Sequence, residues 1–228
     1  MVATGLVFAP VMAETASAAG EQRSTTQPAA NTWSTQVDPK RGVNGTAYTP
    51  EQIELINAIN AYFNKLDNAQ GRFVQTGADR KRMKGKFYLK RPGKFRFQYA
   101  RPSRMVIVSD GKYMAIQDHD LNTDDRIALD NTPFRLLLRR NVNILRDAQI
   151  LELQTTPDLA IIAIRDKRPD MPGSIKLFMA RQPALELKEW VTTDQQGLAT
   201  RVQLRSIDTS KPLSSKLFKP KAIMLPRF

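Results

Sequence analysis

Residues 83–99 read Met83-Lys84-Gly85-Lys86-Phe87-Tyr88-Leu89-Lys90-Arg91-Pro92-Gly93-Lys94-Phe95-Arg96-Phe97-Gln98-Tyr99. Met83, Phe87 and Leu89 alternate with Lys84, Lys86, Tyr88 and Lys90. After Arg91-Pro92-Gly93, Phe95, Phe97 and Tyr99 alternate with Lys94, Arg96 and Gln98. A period of two puts apolar side chains on one face of a strand and charge on the other. The stretch therefore predicts two amphipathic strands, and the residues around it carry the pattern on. Phe73-Val74-Gln75 starts it upstream. Downstream, Met105–Ser109 is apolar on both sides, and Asp110-Gly111 is a hairpin turn signal leading into Tyr113–Gln117. Further strands are expected at about 148–155, 158–166, 174–181, 184–193 and 198–208, with Gln195-Gln196-Gly197 marking a hairpin.

Helical signals flank and interrupt the strands. Thr49 can cap, Pro50 suits the first helical position, and Gln52 completes a capping box. Ile53, Ile56, Ile59, Phe63 and Leu66, widened by Leu55 and Tyr62, then form one apolar face. Thr132-Pro133 restarts a helix, with Phe134, Leu137 and Leu138 facing one way and Arg135, Arg139 and Arg140 another. The expected body is thus roughly ten antiparallel strands with two or three short helices attached. Residues 1–18 read as the end of an export signal: an apolar run from Leu6 to Ala13, then Ala16-Ser17-Ala18 as an A-x-A cleavage site. Residues 19–48, rich in Gln, Ser, Thr, Ala, Asn and Gly, predict a disordered tether, leaving 49–228 as the folded domain.

Composition removes much chemistry. The 228 residues contain no cysteine and one histidine, which excludes disulfides, thiolate metal sites, thiol nucleophiles and His-based metal clusters. No run of 18 apolar residues is present, so no helical membrane span is expected. The formal charge of +13 lies in 49–228, because the first 48 residues carry three basic and three acidic side chains. Basic charge suggests nucleic acid, yet no basic recognition helix, finger or RNP-type strand accompanies it, and none is expected as a partner. His119 sits among Asp118, Asp120, Asp124 and Asp125. Successive strand residues point to opposite faces, so this is read as a polar loop rather than a metal or acid–base site, and no enzymatic activity or cofactor is expected.

Amphipathic strands in this number make a sheet whose apolar surface must be covered. Periodicity leaves two solutions open: a second packed sheet, or one sheet curling on itself with helices over the open side, where an incomplete plug leaves an apolar cavity.

Four ordered stretches resemble the outer-membrane lipoprotein carrier protein (LolA) family: Phe73-Val74-Gln75; Gly85 to Phe97, with its Arg91-Pro92; Val108-Ser109-Asp110-Gly111-Lys112; and Asn131-Thr132-Pro133-Phe134 followed by Leu136–Leu138. The resemblance covers essentially all of 49–228. It implies a mainly β fold: a single strongly curved antiparallel sheet (an incomplete β-barrel) with an apolar cavity covered by a lid of short α-helices. It implies a periplasmic monomer that receives acylated lipoproteins from an inner-membrane lipoprotein-releasing transporter and hands them to an outer-membrane acceptor. Arg91 would be the lid latch. Phe87, Leu89, Phe95, Phe97 and Tyr99 would line the cavity or its rim, and Pro133, Phe134, Leu137 and Leu138 would belong to the lid. Lys84, Lys86, Lys90 and Lys94 would form a basic rim for acidic partners. A lipid- or lipoprotein-binding sensor or acceptor domain of the same fold is the alternative. The acylated acceptor needs a cysteine after its signal, and its absence favours the soluble carrier.

Overall fold

The computed structural model describes residues 48–221. The signal segment, residues 19–47 of the expected tether and residues 222–228 lie outside the described residues. Tyr48, the last residue of that tether, packs against the core.

Helix α1 (Pro50–Lys65) begins with the expected capping box: the Thr49 hydroxyl accepts from the Gln52 amide, and the Gln52 side chain accepts from the Thr49 amide. Its apolar stripe buries Ile56, Ile59 and Phe63. Eleven strands come after it: β1 (Asn68–Thr76), β2 (Arg82–Lys90), β3 (Lys94–Tyr99), β4 (Met105–Asp110), β5 (Tyr113–Asp118), β6 (Thr123–Ala128), β7 (Ala148–Thr155), β8 (Leu159–Asp166), β9 (Ser174–Ala180), β10 (Glu186–Thr193) and β11 (Ala199–Asp208). Between β6 and β7 come a 3₁₀ turn at Leu129–Asn131 and two one-turn helices, α2 (Arg135–Leu138) and α3 (Ile144–Asp147). The helix expected from Thr132-Pro133 is therefore only one turn long. Asn143, whose side chain accepts from the Arg146 amide, starts a second short helix that periodicity does not show.

The strands form one antiparallel sheet in the order β6-β5-β4-β3-β2-β1-β11-β10-β9-β8-β7, with β6 and β7 as unpaired edges. Register aligns the inward residues into rows. Gly71, Phe87, Phe97, Ile107 and Ile116 lie on one row, and Ala69, Leu89, Phe95, Ser109 and Met114 on the next.

The sheet is strongly curved. β3 and β10 are four places apart in the strand order, which is about 19 Å along a sheet at ordinary strand spacing. The rings of Phe97 and Trp190, one on each of these strands, are nevertheless 5.9 Å apart. Bending has local causes. Bulges interrupt the β1–β11, β9–β10 and β7–β8 ladders, and bulges bend strands and increase their twist. Gly85 leaves a notch filled by Phe73, since a Cβ there would lie 2.7 Å from the Phe73 ring.

α1 covers the concave side, where Ile56, Ile59 and Phe63 join Phe73, Ile162, Leu177 and Trp190 in the main core. Residues 209–221 run over the convex side of β2–β5. The Lys90 Nζ donates to the Leu213 carbonyl at 2.8 Å and Gln117 Nε2 to that of Lys221 at 2.6 Å. Leu213 and Phe218 are buried there.

Candidate functional site

Between the concave face, α1 and α2 lies a cavity of about 90 Å³, bounded by Phe87, Phe97, Phe134, Leu137, Leu177 and Trp190 among others, almost wholly apolar in its lining. The rings interlock, most of them edge to face. Phe97 packs on Phe73 at 5.0 Å and Phe95 at 5.9 Å, while Phe134 stands 6.0 Å from Phe95 and 6.4 Å from Trp190. Phe134, from the segment between the sheet's edges, thus touches both halves of the sheet.

Phe87, Leu89, Phe95 and Phe97 all face this cavity, because the β2–β3 register places the inward residues of both strands on one surface. Tyr99 shares that face but lies outside the lining. It packs on Phe73 at 5.1 Å, and its hydroxyl donates to Gln75 Oε1 at 2.5 Å. It is a core residue rather than a cavity or rim contact. Phe134, Leu137 and Leu138 line the cavity; Pro133 does not, and only introduces α2, its carbonyl accepting from the Leu136 amide. Trp190, Leu177 and Leu187, which the sequence does not single out, complete the wall from β9 and β10. Their strands are recognisable, but which of their faces meets β3 is decided only by the curvature.

Arg91 stands just past the end of β2, half-buried at the mouth. Its Nη2 donates to the carbonyls of Arg139 and, at 3.3 Å, Arg140, both just beyond α2. Burial pulls its guanidinium pKa below the usual arginine value, opposed by the Asp67 carboxylate. The Gly93 amide adds a bond to the Leu138 carbonyl at 2.9 Å. On the α1 side, Asn64 exchanges two hydrogen bonds with the backbone of Val142, and Asn60 Oδ1 accepts from the Ile144 amide at 3.0 Å.

The lysines expected at a basic rim lie elsewhere. Lys84, Lys86 and Lys90 have the parity opposite to Gly85, Phe87 and Leu89, and so face the convex side. Lys94 lines a separate cleft with Lys112, Asp110 and Asp130. Around His119 three of the four carboxylates are committed elsewhere. Asp118 Oδ1 accepts from the Asp120 and Leu121 amides, Asp120 Oδ2 from the Arg104 amide, and Asp124 pairs with Arg126 at 3.0 Å. Among the described residues no cluster of three His, Cys, Asp or Glu side chains could hold a metal.

An open antiparallel half-barrel with an apolar cavity under a short helical segment defines a class of fold built around a covered interior. Residues 64–221 match the family model of the outer membrane lipoprotein carrier protein LolA, and the chain belongs to that family. It is 30% identical over 161 residues to an outer-membrane lipoprotein carrier protein of Chromobacterium violaceum, covering 67% of this chain and 76% of that one. It is 31% identical over 157 residues to another from Methylococcus capsulatus, covering 67% and 74%. Among solved structures it resembles a LolA-superfamily protein of Nitrosomonas europaea, with TM-score 0.42 and 11% identity over 72% of this chain and 97% of that one.

Proposed function

We infer that this protein is a non-enzymatic periplasmic carrier of acylated lipoproteins. It takes them from an inner-membrane releasing transporter, holds their acyl chains in the cavity and delivers them to an outer-membrane acceptor. The observation that carries this reading is the cavity itself: an apolar interior walled by aromatic rings from both halves of one sheet and covered by a separate short segment between the sheet's edges. At about 90 Å³ it is well below the roughly 300–1,000 Å³ of typical ligand pockets. The described state is therefore a closed one, and loading requires the segment to move. An apolar wall makes no directional demand on its ligand, so acyl chains of many proteins can be held without reading the attached sequence. Membership of the carrier family supports the choice of cargo.

The test is purification from periplasm under mild conditions, followed by mass spectrometry of co-purifying material. Recovery of acylated proteins is the expected result. Consistent recovery with free lipid but no acylated protein would favour a lipid-binding or sensor role, and recovery of neither would overturn the reading. An oligonucleotide titration at low salt should show no binding of the steep salt dependence that phosphate contacts produce.

A further inference from the structure

The segment that crosses from β6 to β7 is fastened to both halves of the sheet, and the two fastenings differ in kind. On the β2 side the acceptors are backbone carbonyls: Arg91 binds those of Arg139 and Arg140, and the Gly93 amide binds that of Leu138. On the β8 side the acceptor is a carboxylate. Arg135 of α2 makes a bidentate pair with Asp166 at the end of β8, Nε to Oδ2 at 2.8 Å and Nη2 to Oδ1 at 3.2 Å. Their side chains are only 11% and 4% exposed. Asp166 Oδ1 also accepts from the Arg168 amide at 2.9 Å, and the Arg168 guanidinium donates to the Asp130 carbonyl at 2.6 Å. One buried carboxylate thus organises two attachments of the crossing segment, before and within α2. The Asn60 and Asn64 bonds to Ile144 and Val142 hold the remainder of the segment against α1.

The consequences of release are unequal. A carbonyl freed at the mouth is taken up by water, so the net loss on the β2 side is modest. Pulling Arg135 away leaves a buried carboxylate short of its bidentate partner, a far larger penalty. We propose that Arg135 and Asp166 are positioning residues that keep α2 on the β8 side while the Arg91–Gly93 side lets go, so that the mouth opens between α2 and the β2–β3 turn. What enters there rests on the carrier reading; the direction of opening does not.

Two protons report the two sides: the Gly93 amide and the Arg135 Nε–H. Their hydrogen exchange is followed by NMR in the full chain, alone and with a lipopeptide bearing two palmitoyl chains. Without ligand, the Gly93 amide should show protection at least about tenfold lower than the Arg135 Nε–H, each corrected for its intrinsic rate. With lipopeptide, Gly93 exchange should accelerate by a further factor of about ten while Arg135 changes less than about twofold. Equal or earlier loss at Arg135 would overturn the proposal. Arg91→Leu should reproduce the Gly93 effect without ligand and leave the Arg135 signal in place. Asp166→Asn should release bound lipopeptide at least about tenfold faster than wild type; unchanged retention refutes the proposal. Should Asp166→Asn fail to fold, Arg135→Met, which leaves Asp166 to Arg168, carries the same prediction. If wild type binds no lipopeptide, the carrier reading fails, and the ligand-free comparison alone decides the direction of opening.

Discussion

If the protein holds acyl chains as proposed, their length should govern binding with a threshold. Opening the mouth uncovers Phe134, Leu137 and Leu138, which line the closed cavity; burial of such side chains is worth about 1.5 kcal/mol each at the lower end of its range. The Arg91 and Gly93 bonds to the carbonyls of Arg139, Arg140 and Leu138 add about 1.5 kcal/mol at the lower end of their range. The total, about 6 kcal/mol, matches the burial of about eight methylenes at about 0.8 kcal/mol each. An octanoyl chain should therefore barely repay opening. Beyond that length each two-carbon extension should tighten binding by about 1.6 kcal/mol, or about fifteenfold, until the opened cavity is filled. Trp190 is a built-in reporter, 8% exposed and part of the cavity wall. The second tryptophan, Trp33, can be replaced by Phe to isolate its signal. Titrating acyl peptides from C8 to C16 against Trp190 fluorescence measures the series. Octanoyl binding equal to palmitoyl binding, or a gain below about twofold per two carbons, would refute the balance between lid release and chain burial.

Packing and charge lead to further outcomes. Gly85→Ala drives a methyl group against the Gln98 carbonyl and the Phe73 ring and should cost about 2–3 kcal/mol in urea denaturation. Asn60→Ala strands the Ile144 amide, whose residue is 1% exposed, and should cost about 1–3 kcal/mol in the same assay. Burial alone would raise the Asp166 pKa, but hydrogen bonds from Arg135 and the Arg168 amide, with both cationic charges, hold it below the usual carboxylate value. Asp147 is lowered too, chiefly by Arg146 and also by Arg139 against some burial. Depressed carboxyl pKa values contribute stability that is present above the unfolded value near about 4 and lost as pH falls through the folded value. Denaturation midpoints should thus be level near neutrality and decline below about pH 4, with a shallower decline in Asp166→Asn.

Much of the architecture is legible in the sequence because most strands have one wet face. α1 announces itself through Thr49, Pro50 and Gln52, and the β2–β3 pair through its alternating aromatics. β6 does not. It is an edge strand with five of its six residues exposed, so Asp124, Asp125 and Arg126 show no alternation and read as a loop. Edge strands carry charge for the same reason they resist recognition: their outer rim faces water. Curvature is hidden as well, since a sandwich and a half-barrel share one periodicity, and what separates them is a set of bulges and the Gly85 notch. That is why Phe95, Phe97 and Tyr99 could be placed on one face of their strand from sequence, while the faces of Trp190 and Leu177, from the far half, could not be assigned. Asp166 gives no local signal, because its meaning depends on Arg135, 31 residues away in the chain.

The segment 209–221 on the convex side bears on why the interior stays hollow. An apolar void is under constant drive to shrink, and a wall of strands could oblige by curling tighter. Tighter curling lengthens the path along the outside of a bend. Side chains of β2, β3 and β5 grip the backbone of this outer segment at Leu213, Leu217 and Lys221, and Leu213 and Phe218 are sunk beneath it. A band of fixed length fastened to the outside of a bend resists being stretched, and so opposes tighter curling of the wall around the cavity.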